Sequence, residues 1–187
     1  MKFMHNTGGR SRFLAIIGVA IFMVGFVGTS ARANVWQFQD SFDGPFPYTW
    51  WVVGSAGGGV RAPSTPRTGT YTMYMFANTG GWVSVRQTVN LTPFLPGRTL
   101  NTVAAIYARP ASGTNAKVSV EVIDPSTWTY MTAVKTVTLQ NSFTWQLVVT
   151  DLFVPNRKDI VVRVSVGSDA GLVGVDLDDL TVQAQYF

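Results

Sequence analysis

The chain has no cysteine, so disulfides, thiolate nucleophiles and Cys-based metal sites are all unavailable to it. Its single histidine, His5, precedes a long apolar run near the N-terminus. From Asn34 onward both His and Cys are missing, which excludes Ser-His-Asp and Cys-His catalysis and removes the two commonest zinc ligands. Glutamate is nearly absent too: Glu121 is the only one. A glycosidase needs two carboxyls about 5 to 10 Å apart across its substrate. Glu121 with Asp151 is the one pairing left open, since Asp176, Asp178 and Asp179 are too close in sequence to form a spaced pair. Charged residues make up only 13% of the chain, about half the usual share, while aromatics, Val and Thr are plentiful. That balance favours strands over helices.

The formal net charge of +4 belongs to the first 33 residues. Lys2, Arg10, Arg12 and Arg32 lie there without any acid, whereas the remainder carries ten basic and ten acidic side chains. A neutral working domain lacks the electrostatic footprint of a nucleic-acid binder and the cationic cluster that holds an anionic membrane. Within the leader, three cations are followed by the unbroken apolar run Phe13 to Val27 and then by Gly28-Thr29-Ser30-Ala31-Arg32-Ala33. This order of charged, apolar and small residues is that of a secretory signal, with cleavage expected after Ala33. The run is short for a bilayer span, which needs about 20 apolar residues. The sequence therefore divides into a signal peptide, 1–33, and one domain, 34–187.

In that domain strand-like segments alternate with turn residues. Val83, Val85, Val89 and Leu91 share one parity; so do Val118, Val120 and Val122, and Ile160, Val162, Val164 and Val166. A period of two with one apolar face marks half-buried antiparallel strands. Further strands are expected at Val35 to Phe42, Tyr48 to Val53, Thr70 to Ala77, Leu100 to Arg109, Trp128 to Leu139, Thr144 to Val154 and Val173 to Ala184. Gly54 to Gly59 lacks the Gly-Lys-Ser/Thr ending of a phosphate loop and reads as a flexible connection. Nine or ten strands at this spacing, without a helix, predict an all-β sandwich or barrel.

Several segments resemble the family 4, 9 and 22 group of carbohydrate-binding modules. Ser41-Phe42-Asp43-Gly44 followed by Trp50 is similar to its "Phe-Glu-x-Gly…Trp" opening, with Asp43 in place of the usual Glu. Val85 to Leu91 followed by Pro96-Gly97 resembles its "Gln-x-Val-x-Leu-x-Pro-Gly" segment, and Val175 to Leu180 resembles its terminal "apolar-Asp-Asp-apolar" strand. The resemblance spans residues 38 to 183. It implies a two-sheet antiparallel jelly-roll sandwich of the galactose-binding-like type, and a secreted, non-catalytic module that holds a polysaccharide or other glycan. It also implies a structural calcium ion on Asp43 and one of Asp178 or Asp179. The carboxylates near both termini suit calcium, which takes six to eight oxygens.

Aromatic side chains are the main candidates for sugar contact, because a flat ring buries the C–H face of a pyranose while polar neighbours bind its hydroxyls. Opposite the valine face of their strand lie Trp82, Ser84, Arg86, Thr88 and Asn90. Trp128 and Tyr130 share a parity after the Asp124-Pro125-Ser126 turn, as do Tyr107 and Arg109. The ligand candidates are therefore Trp82, Arg86, Tyr107, Arg109, Trp128 and Tyr130. For Arg86 and Arg109 an ion pair with Glu121 or Asp151 is the structural alternative. Trp36, Trp50, Trp51 and Trp145 are expected to pack within the fold. A structural or adhesive surface protein with the same fold, and a small hydrolase or lyase using Glu121 and Asp151, are the competing readings.

Overall fold

A computed structural model describes residues 35–44, 51–55, 57–62, 65–113, 115–140 and 143–186. The leader and its expected cleavage point lie outside these residues, as does Trp50. Residues Ala33–Phe187 form one compact unit.

Eleven strands are present among the described residues: β1 (Trp36–Asp40), β2 (Trp51–Gly54), β3 (Gly57–Ala62), β4 (Thr72–Ala77), β5 (Trp82–Asn90), β6 (Leu100–Ser112), β7 (Lys117–Ile123), β8 (Lys135–Thr138), β9 (Gln146–Val149), β10 (Asp159–Gly167) and β11 (Val173–Tyr186). They form two antiparallel sheets, and no described residue is helical. One sheet runs β3-β4-β11-β6-β9, with β1 beside the second half of β11. The other runs β2-β5-β10-β7-β8. The expected all-β, two-sheet antiparallel architecture is what forms.

Alternation explains the layering. Val83, Val85 and Val89 of β5, Val118, Val120 and Val122 of β7, and Ile160, Val162, Val164 and Val166 of β10 are all buried. They pack in one cluster with Met73 and Met75 of β4, Ala104, Ile106 and Ala108 of β6, and Val175, Leu177, Leu180 and Val182 of β11. Burial of each such side chain contributes about 1.5–3 kcal/mol, so this inter-sheet cluster is the main stabilising element.

Two expectations need correction. Gly54 to Gly59 is not a flexible connection: β2 ends at Gly54 and β3 begins at Gly57, pairing with β4. Gly58 has a physical reason, since a Cβ there would meet the Phe76 ring at 2.9 Å. Trp128 to Leu139 is not one strand either. Only Lys135–Thr138 pairs as β8, and the residues before it form a loop touching the sheet at the Ile123–Tyr130 bridge. The strand β11 itself bends at a register shift between Asp178 and Thr181, where Asp179 has φ 50°. A bulge of this kind re-aims side chains, and here it turns two carboxylates toward one loop.

Leu177 lies in β11 between β4 and β6 and is fully buried. Leu177→Ala is expected to cost about 2–5 kcal/mol of unfolding free energy, read from urea denaturation. A loss below about 1 kcal/mol would contradict the central place of this side chain.

Candidate functional site

The outward face of the five-stranded sheet can be read row by row from its register. Trp82, Gly167, Lys117 and Thr138 lie side by side across β5, β10, β7 and β8. Two residues along, Ser84, Ser165, Ser119 and Thr136 form the next outward row. Then come Arg86, Arg163 and Glu121, followed by Thr88, Val161 and Ile123. A band of small hydroxyl side chains therefore crosses the strands, with an aromatic and a lysine at one margin and an arginine–glutamate row at the other. Alternate residues advance about 7 Å along a strand, so the two margins stand about 13 Å apart.

Glu121 is the hub of the second margin and is buried. Its Oε2 accepts from Arg163 Nε at 2.6 Å and from Arg163 Nη2, and its Oε1 accepts from Ser165 Oγ at 2.9 Å. Arg163 Nη2 also donates to the Tyr130 hydroxyl at 3.1 Å. In the hydroxyl band, Ser119 and Thr136 bond to each other at 2.8 Å, and Ser84 Oγ donates to the Val53 carbonyl at 3.3 Å. The Arg86 guanidinium lies over the Trp128 ring, 5.0 Å from its centroid.

Trp128 and Tyr130 reach this face through a loop that Asp124 organises. Asp124 Oδ1 accepts from the Ser126 N–H at 2.8 Å, from Ser126 Oγ at 2.6 Å and from Arg157 Nη1 at 2.8 Å. The hydrogen bonds from Ser126, aided by Arg157, hold the carboxyl well below the usual carboxylate range. The Asp124 carbonyl accepts the Trp128 N–H at 2.8 Å, and the Asp124 N–H donates to the Thr129 carbonyl at 2.9 Å. Trp128 itself sits at φ 56°, a left-handed conformation that costs a non-glycine residue about 1–2 kcal/mol. The hydrogen bonds around Asp124 hold that conformation in place. About half of the Trp128 and Tyr130 surfaces is exposed.

The six sequence-nominated ligand residues do not share one face. Trp82, Arg86, Trp128 and Tyr130 are assembled on the five-stranded sheet, whereas Tyr107 and Arg109 are on β6, in the other sheet. There Arg109 donates to Asp176 Oδ2 through Nε at 3.1 Å and Nη2 at 2.8 Å, and lies over the Trp145 ring. Its ion-pair partner is thus Asp176, not Glu121 or Asp151. Tyr107 carries the Arg67 guanidinium 3.7 Å above its ring. Glu121 and Asp151 likewise belong to different layers: Glu121 lies on the outward face of the five-stranded sheet, and Asp151 is exposed just beyond β9. Arg163, Ser165 and the organising role of Asp124 escaped the sequence reading. Parity pointed to the first two, which alternate with Val162, Val164 and Val166.

The acidic residues nominated for calcium converge on one segment, Arg67 to Tyr71. Asp43 Oδ1 accepts the N–H groups of Thr70 and Tyr71 at 2.8 and 2.9 Å. Asp178 Oδ2 accepts those of Arg67 and Thr68 at 2.7 and 3.1 Å. Asp179 takes the Arg67 guanidinium and the Thr68 hydroxyl. Gly69, at φ 65°, lies so close that a Cβ would overlap the Asp43 carboxylate. Held this way, the three carboxylates face N–H and O–H donors, and taking calcium would require them to exchange those donors for the ion. Among the described residues no group of three or more His, Cys, Asp or Glu side chains is arranged to hold a metal.

No family model and no curated protein matches the sequence. Solved structures do match in fold. A xylan-binding family 22 module from Paenibacillus barcinonensis Xyn10C superposes with a TM-score of 0.54 at 14% identity, over 85% of this chain and 99% of that one. The module TmCBM61, solved with β-1,4-galactotriose, gives 0.51 at 18% identity over 71% and 86%. A family 11 module from Clostridium thermocellum, solved with a β-1,3-1,4-mixed-linked tetrasaccharide, gives 0.52 at 10% identity over 81% and 96%. The chain thus has the β-sandwich jelly-roll fold of carbohydrate-binding modules, as the resemblance in its sequence implies.

Burial raises the Asp178 carboxyl to about 6; the Thr68 N–H opposes this and the charge of Asp179 adds to it. A carboxyl raised in the folded state binds more protons there than in the unfolded chain. The stability it contributes is therefore complete below pH 3.8 and lost as pH rises through about 6. Asp178→Asn is expected to remove that downward slope between pH 4 and 6, measured as the difference in unfolding free energy between the two proteins. Parallel profiles would contradict the assignment.

Proposed function

We propose that this protein binds a polysaccharide or related glycan, without chemistry, on the outward face of its five-stranded sheet. One observation carries the reading: Trp82, Arg86, Trp128 and Tyr130 stand on that face at the margins of a hydroxyl band. A sugar ring stacks its C–H face on an exposed aromatic, while Ser119, Thr136 and Ser165 provide hydroxyls. A linear chain fits best lying across the strands, along the band. The fold supports the reading, because modules with this fold were solved with galactotriose and with a mixed-linked tetrasaccharide.

The proposal includes no catalytic step. Glu121 is committed to Arg163 and Ser165, and Asp151 belongs to the opposite layer. Secretion is part of the proposal and rests on the leader pattern of residues 1–33. Among the described residues no helix is long and apolar enough to cross a membrane.

Trp128→Ala and Trp82→Ala are each expected to weaken binding about tenfold, on the order of 1.4 kcal/mol, in pull-downs and titrations against a panel of insoluble and soluble polysaccharides. Tyr107→Ala, on the other sheet, is the control. Full binding by both tryptophan variants would remove this site. Stable self-association with no glycan affinity would move the reading to a structural or adhesive protein.

A calcium ion at Asp43 and one of Asp178 or Asp179 is a separate proposal. If it binds, the thermal midpoint rises in calcium relative to chelator, by mass action on the folded state. An unchanged midpoint would leave the Arg67–Tyr71 loop held by hydrogen bonds alone.

A further inference from the structure

The two arginines of the candidate site differ in one respect. Arg163 is neutralised, because Glu121 takes its Nε and Nη2, and Nη2 also reaches Tyr130. Arg86, its neighbour across the β5–β10 pair, has no ion-pair partner among the described residues. Those residues include every Asp and Glu of the chain. Of the other described cations, Arg67 pairs with Asp179, Arg109 with Asp176, Lys117 with Asp169 and Arg157 with Asp124, while Arg98, Lys135 and Lys158, which pair with no carboxylate, are exposed. Arg86 is half-buried and lies over Trp128, whose loop is fixed by Asp124. A guanidinium over an aromatic ring keeps its in-plane N–H donors directed outward, in the fork that matches a carboxylate bidentately. A partly desolvated, unneutralised cation of this kind gains more from an incoming anion than a fully hydrated one.

We propose that Arg86 reads a carboxylate on the glycan, so that the site prefers chains bearing uronic acid residues over their neutral counterparts. The inference rests on the glycan-binding reading and names the ligand class for that site. In it the uronate carboxylate lies against Arg86, and an adjoining ring uses the exposed part of Trp128. Arg163 is less suited to the same task, since Glu121 neutralises its charge and its Nε and Nη2 are already engaged. A generally basic surface is not the cause, because the chain from Asn34 onward is formally neutral.

The test compares acidic and neutral chains of one backbone: glucuronoxylan with its carboxyl-reduced form, and polygalacturonate with its fully methyl-esterified form. Titration or affinity electrophoresis of the secreted chain is expected to show about tenfold tighter binding to the acidic member of at least one pair. The preference should shrink as salt is raised from 50 to 500 mM, as expected for a partly exposed charge contact. Arg86→Gln is expected to bring the acidic-to-neutral ratio to about one. Arg86→Lys, which keeps the charge but loses the fork, should give an intermediate ratio. Arg98→Gln, which removes an arginine that lies over Tyr186, should keep the full ratio. Equal affinity for both members of each pair, or an unchanged ratio in Arg86→Gln, would overturn the proposal while leaving glycan binding intact. No binding to any polysaccharide, acidic or neutral, would overturn it together with the glycan-binding reading.

Discussion

Everything in this domain depends on the commitment of one face of each sheet to the inter-sheet core. On β5, β7 and β10 the valines and isoleucine take every second position and are buried against the methionines, leucines and valines of β4, β6 and β11. A shift of register by a single residue would send that entire apolar set outward, so the pairing has little freedom. The intervening positions are thereby released from packing. On the five-stranded sheet they include Trp82, Ser84, Arg86, Ser119, Glu121, Arg163 and Ser165, which stand in ordered rows. The functional face is the complement of the core.

Two carboxylate-centred devices then set the loops on this frame. Asp124 folds the turn after β7 by accepting from Ser126 and Arg157, and its backbone fixes Trp128 in a left-handed conformation. At the other sheet, Asp43, Asp178 and Asp179 gather the Arg67–Tyr71 segment by its N–H groups, and the bulge in β11 aims two of them there. The first device prepares a candidate ligand surface. The second joins the opening strand, the terminal strand and a loop between them. Both spend ionised groups on backbone donors, which makes the hydrogen bonds stronger than neutral ones.

The sandwich was legible because alternation is a local property: Val118-Ser119-Val120-Glu121-Val122 announces a half-buried strand without reference to its neighbours. Trp82 and Arg86 were legible for the same reason, from their parity against Val83 and Val85. Tyr107 and Arg109 had equally good parity, yet they face outward from the other sheet, because parity assigns a face and says nothing about which sheet a strand joins. The Glu121–Arg163 pair links residues 42 apart in sequence and follows only from the β7–β10 pairing. Trp128 and Tyr130 looked like strand residues by composition. A turn held by Asp124 overrides that propensity. The glycines that open β3 looked flexible because the reason for Gly58, the ring of Phe76, comes from a neighbouring strand.

Mapping amide and indole chemical-shift changes during titration with an oligosaccharide tests most directly where ligand lies on this fold. The indole N–H signals of Trp82 and Trp128 and the amides of Ser84, Ser119, Thr136 and Ser165 are expected to move together, with β4, β6 and β11 left quiet. Changes centred instead on Tyr107, Arg109 and Trp145 would place the ligand on the opposite sheet and contradict the assignment of the binding face.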